Sequence, residues 1–548
     1  MNRIITSIFA FISLAYTASA AEIVVTDNGS GTGTTTWTSD NIYILDGFVF
    51  VNSGQTLTIE AGTVVKGMSG TGSEASALIV ARGGRILAEG TAQAPIVFTY
   101  ENDPLDGSTP YSTQGQWGGL IVLGNAGLNS IPGETQIEGI PETETRGLYG
   151  GDDDSDDSGI IRYISIRHGG TDIGAGNEIN GFTLGGVGSE TIIEYVEVIS
   201  NADDGIEFFG GTVDVKHAVV AFVGDDSFDY DEGWRGKGQF WVAIQEPGVN
   251  GDRGGEHDGG TSPEDGTPYA TPVIYNSTFV GKGLDGGSRA LTIRDNAGGQ
   301  YHNSIFYGWG KGIDVENLPS GEDSYERLLD LECGFAGNCF YNVGVNGVGT
   351  ASDIFKITMG AGWPSPADST AALTLSSGVF QATFSALGNI SQDPGFTYSI
   401  AQGSEGLAIV PTNDLGSGIA PVDPFYTNAS YRGAFDPSDP CNMWTNNWTL
   451  IDQYGFLESC VNTNEVAVNT SKVSVFPNPN AGTFSIQLPE GFENGTINIY
   501  SLSGSLVASK AINTMSNRFD FKLDVNAGLY LVSVVSSENT WTSRMIVE

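Results

Sequence analysis

Five short segments of the chain share one pattern of apolar and polar residues: IIRYISIRH (Ile160–His168), IIEYVEVIS (Ile192–Ser200), DVKHAVVAF (Asp214–Phe222), PVIYNSTFV (Pro272–Val280) and GQYHNSIFY (Gly299–Tyr307). When they are aligned on Tyr163, Tyr195, His217, Tyr275 and His302, the separations are 32, 22, 58 and 27 residues. One winding of a parallel β-helix takes roughly 20 to 25 residues, and longer intervals leave room for loops or a skipped winding. His217 and His302 are therefore expected to be stacking residues.

The same alternation begins near the N-terminus, where GQTLTIEAGTVVKG (Gly54–Gly67) places glycines at the corners of two strand-like runs. An array of β-sandwiches also uses short strands with regular turns. Glycine corners inside the repeats and small, β-branched inward residues favour the solenoid. The sequence predicts an all-β chain: a right-handed parallel β-helix over residues 21–460, followed by a small C-terminal β-sandwich.

The charge of the chain is strongly one-sided. Its 548 residues include 77 Gly, 23 Lys and Arg, and 65 Asp and Glu, so the net charge is −42. A surface this acidic repels nucleic acid and anionic lipid headgroups, whereas it attracts divalent cations. No apolar run reaches about 18 residues, so we expect no nucleic-acid partner and no transmembrane segment.

Both ends of the chain are predicted to direct export. Residues 1–20 fit a secretory signal peptide, with a basic start (Met1-Asn2-Arg3), an apolar run and a small-residue cleavage site at Ala18-Ser19-Ala20. A short linker is predicted over 461–470. Alternating runs separated by turn clusters then predict a β-sandwich of about seven strands over 471–548.

This last segment closely resembles the type A C-terminal sorting domain of type IX secretion substrates. The matching motifs are FPNPNAGTFSI (Phe476–Ile486), INIYSLSGSLV (Ile497–Val507), AGLYLVSV (Ala527–Val534) and SRMIVE (Ser543–Glu548). The resemblance implies recognition by the type IX machinery, passage across the outer membrane and removal of the domain. We therefore expect an extracellular or outer-surface protein. The body, from about residue 42 to 455, resembles bacterial right-handed β-helix proteins, the architecture of pectate lyases and polygalacturonases.

Several local features carry more specific expectations. The four cysteines form two local pairs, Cys333 with Cys339 and Cys441 with Cys460, for which we favour disulfides over other connectivities. A capped helical pattern spans Asp323–Leu331, and residues 364–374 are predicted to form a loop. The Trp-rich segment 431–457 is predicted to be an end cap over the last winding.

The strongest candidate site is acidic. NADDGIE (Asn201–Glu207) and GDDSFDYDE (Gly224–Glu232) each contain an Asp-Asp pair, and the pairs lie 22 residues apart, or one winding. Stacked windings are about 4.8 Å apart, so the carboxylates repel unless a cation binds or a proton is shared. Calcium prefers six to eight oxygen ligands. The candidate calcium ligands are Asp203, Asp204, Asp225, Asp226, Asp229 and Asp231, with the run Asp152–Asp157 as a second candidate.

An enzymatic alternative rests on a resemblance to the NTDGID and GDD motifs of polygalacturonase-type hydrolases. It implies that Asp204, Asp225 and Asp226 supply the acid and base carboxylates. The family's Gly-His-Gly and Arg-Ile-Lys motifs are degraded here to GGEHD around His257 and TIRD around Arg294. In a lyase variant, Arg294 or Arg289 is the candidate base. We expect a binding or structural surface protein that contacts extracellular polysaccharide, with a polysaccharide hydrolase or lyase as the alternative.

Overall fold

The computed structural model describes residues 20–174, 177–246, 251–347, 349–398, 407–457, 473–488, 494–501, 506–512, 518–523, 525–536 and 540–547. The chain divides into two compact units, Met1–Ser459 and Cys460–Glu548. The predicted linker and all of the predicted signal peptide except Ala20 lie outside the described ranges. The proposed limits of these segments therefore stay predictions.

The first unit is a parallel β-helix formed by two long parallel sheets. The larger sheet contains Ala21–Thr26, Thr35–Trp37, Asn41–Asp46, Thr56–Ile59, Val64–Gly67, Arg85–Glu89, Ile96–Tyr100, Gly159–Arg167, Ile192–Ile199, Asp214–Ala221, Lys237–Ile244, Val273–Tyr275, Thr278–Gly283, Gly299–His302, Ile305–Trp309, Cys333–Ala336, Cys339–Val343 and Ile390–Ser391. The second sheet contains Phe48–Val51, Ala77–Val80, Leu120–Leu123, Phe182–Gly185, Ile206–Phe209, Phe228–Asp231, Arg253–Asp258, Arg289–Arg294, Lys311–Asn317 and Phe355–Met359. The predicted β-helix is confirmed.

Short elements interrupt these sheets. Three antiparallel ribbons pair Thr135–Gln136 with Leu148–Tyr149, Asp172–Gly174 with Asn177–Glu178, and Thr397–Tyr398 with Leu407–Ala408. The helices are α1 (Ser324–Leu329), α2 (Ala351–Ile354), α3 (Pro366–Ala386) and α4 (Leu450–Gln453), with single 3₁₀ turns at Gly72–Glu74, Thr145–Gly147 and Leu284–Gly286. In the part of the chain that the structure describes, no helix is long and apolar enough to cross a membrane.

The larger sheet bends where one residue of each winding adopts a left-handed backbone conformation. These corner residues are Tyr163, Tyr195, His217, Phe240, Asn276 and Asn303, with φ between 48° and 61°. The register pairs Lys216 with Gln239 and Gln239 with Tyr275, so Tyr275 and His302 lie one position before the corner. The sequence alignment was right for its first three members and one residue out for the last two, because it passed over the winding at Phe240.

Aromatic rings stack along this corner. The ring centroids are 4.3 Å apart between Tyr163 and Tyr195, 4.1 Å between Tyr195 and His217, and 5.0 Å between His217 and Phe240. The His302 ring lies 4.5 Å from that of Tyr275. The prediction of stacking is confirmed for His217, whereas the His302 ring is tilted by 38° against that of Tyr275.

The helices differ from the sequence-based expectation in one place. Helix α1 is capped as predicted, since Asp323 Oδ1 accepts a hydrogen bond from the Glu326 amide at 2.7 Å. The predicted loop at 364–374 is wrong, because α3 occupies it. Most of α3 is not buried, and its buried residues are Ser376, Phe380 and Phe384, all beyond that stretch. The first part of α3 therefore shows no apolar periodicity that could reveal a helix.

Helix α3 covers the last winding, which corrects the role predicted for 431–457. The Phe380 ring is stacked 4.3 Å from that of Phe355, at the end of the second sheet. Residues 407–457, which we call the strap, instead run lengthwise back along the outside of the solenoid. Ile419 O accepts a hydrogen bond from Asn303, Thr427 O accepts one from Gln239, and the Leu450 amide donates to Glu197.

The first predicted disulfide is wrong. Cys333 and Cys339 are free and buried. Cys333 packs in the interior core, whereas Cys339 packs in the layer between the larger sheet and the strap. The two side chains therefore lie on opposite sides of the sheet. Cys441 is disulfide-bonded, but Cys460 lies outside the described residues, so that pairing stays a prediction.

The second unit is a small antiparallel β-sandwich. Its strands are Ser474–Phe476, Thr483–Gln487, Gly495–Ser501, Leu506–Ile512, Arg518–Lys522, Gly528–Val535 and Thr540–Val547. They form one sheet of three strands and one of four, around a core that includes Ile486, Ile497 and Val532. The predicted all-β class with a C-terminal sandwich is confirmed.

Candidate functional site

The acidic residues line the outer face of the second sheet. Side chains alternate across a strand, so every second residue points outward. The register places Glu207 beside Asp229, and Asp229 beside Glu256, in three successive windings. The turns just before these strands carry Asp204 and Asp226. We call these five residues the carboxylate ribbon.

The ribbon brings carboxylates within ligand distance of one another. One oxygen each from Asp204, Glu207 and Asp229 lies within 4.8 Å of the others, and the same holds for Asp226, Asp229 and Glu256. Asp229 belongs to both groups and joins them. Such spacing allows one cation to bridge side chains from adjacent windings.

Two ribbon carboxylates also hold the turns together. Asp204 is 7% exposed, and its Oδ1 accepts a hydrogen bond from the Asp226 amide at 2.8 Å. Asp226 is 1% exposed, and both of its carboxylate oxygens accept hydrogen bonds from Arg253. Oδ1 accepts one from the backbone amide at 2.6 Å, and Oδ2 accepts one from Nη1 at 2.9 Å. These turns are largely filled, so neither carboxylate projects into an open groove.

Asp229 differs from Asp204 and Asp226 in its hydrogen bonding. Its Oδ1 is buried and has no hydrogen-bond partner among the described residues. A buried carboxylate oxygen that lacks a donor carries a large desolvation cost. Asp229 is the residue that the two carboxylate groups share, and a cation bound there would supply the missing partner.

The environment favours the protonated form of these carboxyl groups. Burial, followed by the charges of Asp226 and Asp203, raises the pKa of Asp204 well above its ordinary value. Burial also raises the pKa of Asp229 and of Glu207, with further contributions from neighbouring carboxylates. In Asp226 burial outweighs the opposing Arg253 charge, so its pKa is raised too. A cation would release these protons, because it favours the ionised carboxylates.

The remaining predicted ligands lie around this centre. Asp203, Asp204 and Asp225 form a further group within 4.8 Å at the turn edge, as do Asp225, Asp226 and Asp252. Burial raises the pKa of Asp203 to about 7. Asp231 belongs to none of the groups found among the described residues; its Oδ2 accepts a hydrogen bond from Thr261 at 2.6 Å.

The second predicted candidate, the run Asp152–Asp157, forms no cluster of three ligand atoms within the described ranges. Asp156 instead accepts hydrogen bonds from Asn125 and Ser158, and Asp157 pairs with Arg85 at 2.7 Å. These carboxylates are occupied as turn and ion-pair partners.

Arginines close one end of the ribbon. Arg294 pairs with Asp258 at 2.8 Å and with Glu256 at 2.9 Å, and Arg289 pairs with Asp314 at 3.1 Å. A cavity of 290 Å³ lies here, lined by Arg253, Arg289, Thr292, Ile293, Arg294, Asp314, Glu316 and Thr358. His257, from the degraded Gly-His-Gly motif, faces the interior and is fully buried, with its ring 4.1 Å from that of Tyr230.

Sequence inspection missed Glu207, Asp252 and Glu256. Glu207 was contained in the quoted NADDGIE motif but was not selected as a ligand. The signal was available in the spacing: Glu207, Asp229 and Glu256 are outward residues separated by 22 and 27 positions, which is one winding each. Extending the one-winding register from the turns into the strands identifies Glu207 and Glu256.

These features define a solenoid: a parallel β-helix with a charged outer face, followed in the chain by an antiparallel β-sandwich. The chain belongs to the pectate-lyase-like β-helix domain family, whose model matches residues 29–355, more than half of the chain. The secretion system C-terminal sorting domain matches residues 474–548, as predicted from the type IX motifs. It implies interaction with that secretion machinery and indicates secretion to the cell surface or extracellular space. No curated protein matches the chain.

Proposed function

We propose that this secreted β-helix protein is a calcium-stabilised binding protein that contacts extracellular polysaccharide through the outer face of its second sheet. The observation that carries the proposal is Asp229, which belongs to both groups of carboxylates within 4.8 Å and has a buried Oδ1 without a partner among the described residues. Calcium takes several carboxylate oxygens at once and tolerates irregular geometry. The candidate ligands are the carboxylate ribbon with Asp203 and Asp225.

The polysaccharide contact is supported by the arginine-lined cavity beside the ribbon. Arg253 and Arg289 are partners on two adjacent strands, and Arg294 lies at the other end of the strand that begins at Arg289, so the three can meet acidic groups repeated along a polymer. Arginine suits this role because its planar guanidinium binds carboxylates in a bidentate manner.

Binding fits the geometry better than cleavage does. A hydrolase needs one carboxylate free to donate a proton and another free to activate water. Here both Asp226 oxygens accept hydrogen bonds from Arg253, and Asp204 holds the following turn. The catalytic set Asp204, Asp225, Asp226 and Arg294 remains an alternative.

Thermal unfolding of the full chain with added calcium or with chelator tests the cation. We expect calcium to raise the melting temperature, because a ligand that binds only the folded state stabilises it in proportion to the logarithm of its concentration. Asp229→Asn should remove most of the rise, whereas Asp285→Asn, at an exposed turn, should retain it. An unchanged melting temperature in the wild type would contradict the calcium site.

The pH dependence has a defined sign. The ribbon carboxylates and Asp203 have raised pKa values in the folded state, about 7 in the case of Asp203, so without calcium their contribution to stability is lost as pH rises through those values. The calcium-induced rise should therefore be larger at pH 8 than at pH 5. An equal or larger rise at pH 5 would count against coupled proton release.

Incubation with a panel of acidic and neutral glycans separates binding from cleavage. Retention on an acidic glycan matrix without new reducing ends or unsaturated products is the expected result. Turnover that disappears in Asp226→Asn would establish the enzyme instead. The triple substitution of Arg253, Arg289 and Arg294 by Gln should abolish retention, whereas Arg162→Gln on the other sheet should not.

A further inference from the structure

A second cavity lies between the strap and the first windings, away from the carboxylate ribbon. It measures 410 Å³, within the range of roughly 300–1,000 Å³ typical of small-molecule sites. The β-helix contributes Val64, Pro95, Val97, Leu105 and Arg167, and the strap contributes Asn447, Trp448, Thr449, Asp452 and Gln453.

Arg167 is the unusual member of this lining. The residue is only 4% exposed, and its Nε donates to Ser165 Oγ at 2.8 Å. Neither Nη1 nor Nη2 has a hydrogen-bond or ion-pair partner within the described part of the chain. The charges of Glu197 and Asp103 act on the guanidinium, but its two Nη atoms keep donors that an acceptor in the cavity could use.

The polar strap residues do not supply that acceptor. Asp452 Oδ2 accepts from the Asn447 amide at 2.7 Å, and Thr449 Oγ1 donates to Thr445 O at 2.8 Å. Gln453 Nε2 donates to Leu105 O at 3.3 Å. The opposite wall is apolar, formed by Val64, Pro95, Val97 and Leu105.

We propose that this cavity binds a small organic carboxylate with an apolar body. The carboxylate would accept hydrogen bonds from Nη1 and Nη2 of Arg167, and the apolar part would pack on the wall formed by the β-helix. Two parallel N–H···O bonds from one guanidinium make a strong and directional carboxylate site. The proposal is independent of the calcium site and of the polysaccharide contact.

The test uses acetate, butyrate, benzoate and sulfate as probes of the full chain, at constant pH and ionic strength. Calorimetry should give affinities in the order benzoate, butyrate, acetate, since burial of more apolar surface strengthens binding. Sulfate should bind at least tenfold more weakly than benzoate. Equal affinity for sulfate, or no binding by any carboxylate, overturns the proposal.

Variants locate the site. Arg167→Lys keeps the positive charge but loses the two parallel N–H donors of the guanidinium, so benzoate affinity should fall at least tenfold. Val64→Phe fills the cavity from the apolar side and should abolish binding, which keeps the test valid if the Arg167 variant does not fold. Arg162→Gln, on the same strand but part-exposed and paired with Glu194, should leave the affinity unchanged. Benzoate binding that survives Val64→Phe and Arg167→Lys contradicts the assignment.

Discussion

The two outer faces of the same windings solve the burial of polar groups in opposite ways. On the larger sheet, Glu197 is fully buried, and its carboxylate accepts hydrogen bonds from Ser165 and from the amides of Leu450 and Ile451 in the strap. On the second sheet, Asp229 keeps a buried oxygen without a partner in the described chain. At Glu197 the protein itself supplies the hydrogen-bond donors, whereas at Asp229 a donor or a cation is missing from the described residues.

Repetition explains why the faces diverge. A column of aromatic rings is stabilised by stacking at centroid distances of 4.1 to 5.0 Å, so Tyr195, His217 and Phe240 favour one another. A column of carboxylates at the same spacing is destabilised by charge repulsion. Stacking identical windings therefore strengthens the aromatic corner but creates a demand for counter-ions along the carboxylate ribbon.

The largest effect should come from removing the group that completes the covered face. Glu197→Ala leaves two strap amides and Ser165 without their acceptor, and it leaves Arg167 without the nearby opposite charge. We expect the free energy of unfolding to fall by about 3–5 kcal/mol. Denaturant unfolding measures this loss.

The matched control is Glu194→Ala on the same strand. Its ion pair with Arg162 is partly exposed, so the expected loss is below about 1 kcal/mol. Similar losses in the two variants would contradict the idea that the strap depends on Glu197.

A smaller effect should come from His217 in the aromatic column, whose contribution to folding stability depends on pH. Burial lowers the pKa of His217 to about 3, and its Nδ1 has no hydrogen-bond partner among the described residues. An unfolded histidine titrates near 6.5, so folded stability is lost as pH falls below that value, by up to about 2 kcal/mol at pH 5. His217→Phe keeps the stack and should remove this loss.

The comparison is the difference between wild type and His217→Phe in unfolding free energy, measured at pH 7 and at pH 5. Because His168, His257 and His302 are present in both proteins, their contributions cancel. A difference that does not change with pH would show that the His217 ring is not held neutral by burial.

The smallest effect concerns the edge of the ribbon. Asp231 shares no ligand group with its neighbours in the described chain and is already bound to Thr261. Asp231→Asn should therefore change calcium affinity less than about twofold, whereas Glu207→Gln should weaken it about tenfold, since each lost carboxylate ligand lowers affinity. Calorimetric titration with calcium compares the two, and the reverse order would move the site toward Asp231.

The sequence was sufficient where identical positions recur. Tyr163, Tyr195 and His217 are tyrosine or histidine at one-winding intervals, so the register of the larger sheet could be predicted there. The prediction of the register failed at Phe240 and at Asn276. The left-handed corner position accepts different residues, and the segment KGQFWVAI contains neither tyrosine nor histidine. Recurrence reveals a repeat only when the same side chain is reused.

Contacts between residues far apart in the chain could not be predicted from the sequence, for a physical reason. The strap meets Glu197 across 253 residues, and no local pattern encodes which winding it covers. The Cys333–Cys339 spacing suggested a disulfide, but the side of the sheet that each thiol faces depends on strand direction after a turn. For the site, the spacing of the Asp-Asp pairs predicted proximity correctly, whereas their burial and the role of Arg253 required coordinates.

The lengthwise course of the strap also changes how the solenoid can come apart. A stack of windings held only by neighbours can lose its end windings one at a time, like a zipper. Because the strap ties windings that contain Gln239, Asn276 and Asn303 to one continuous segment, opening any of them disturbs the same backbone. The strap thus ties several windings of the β-helix together, and the molecule should gain its full mechanical strength only when residues 407–457 have docked on the solenoid.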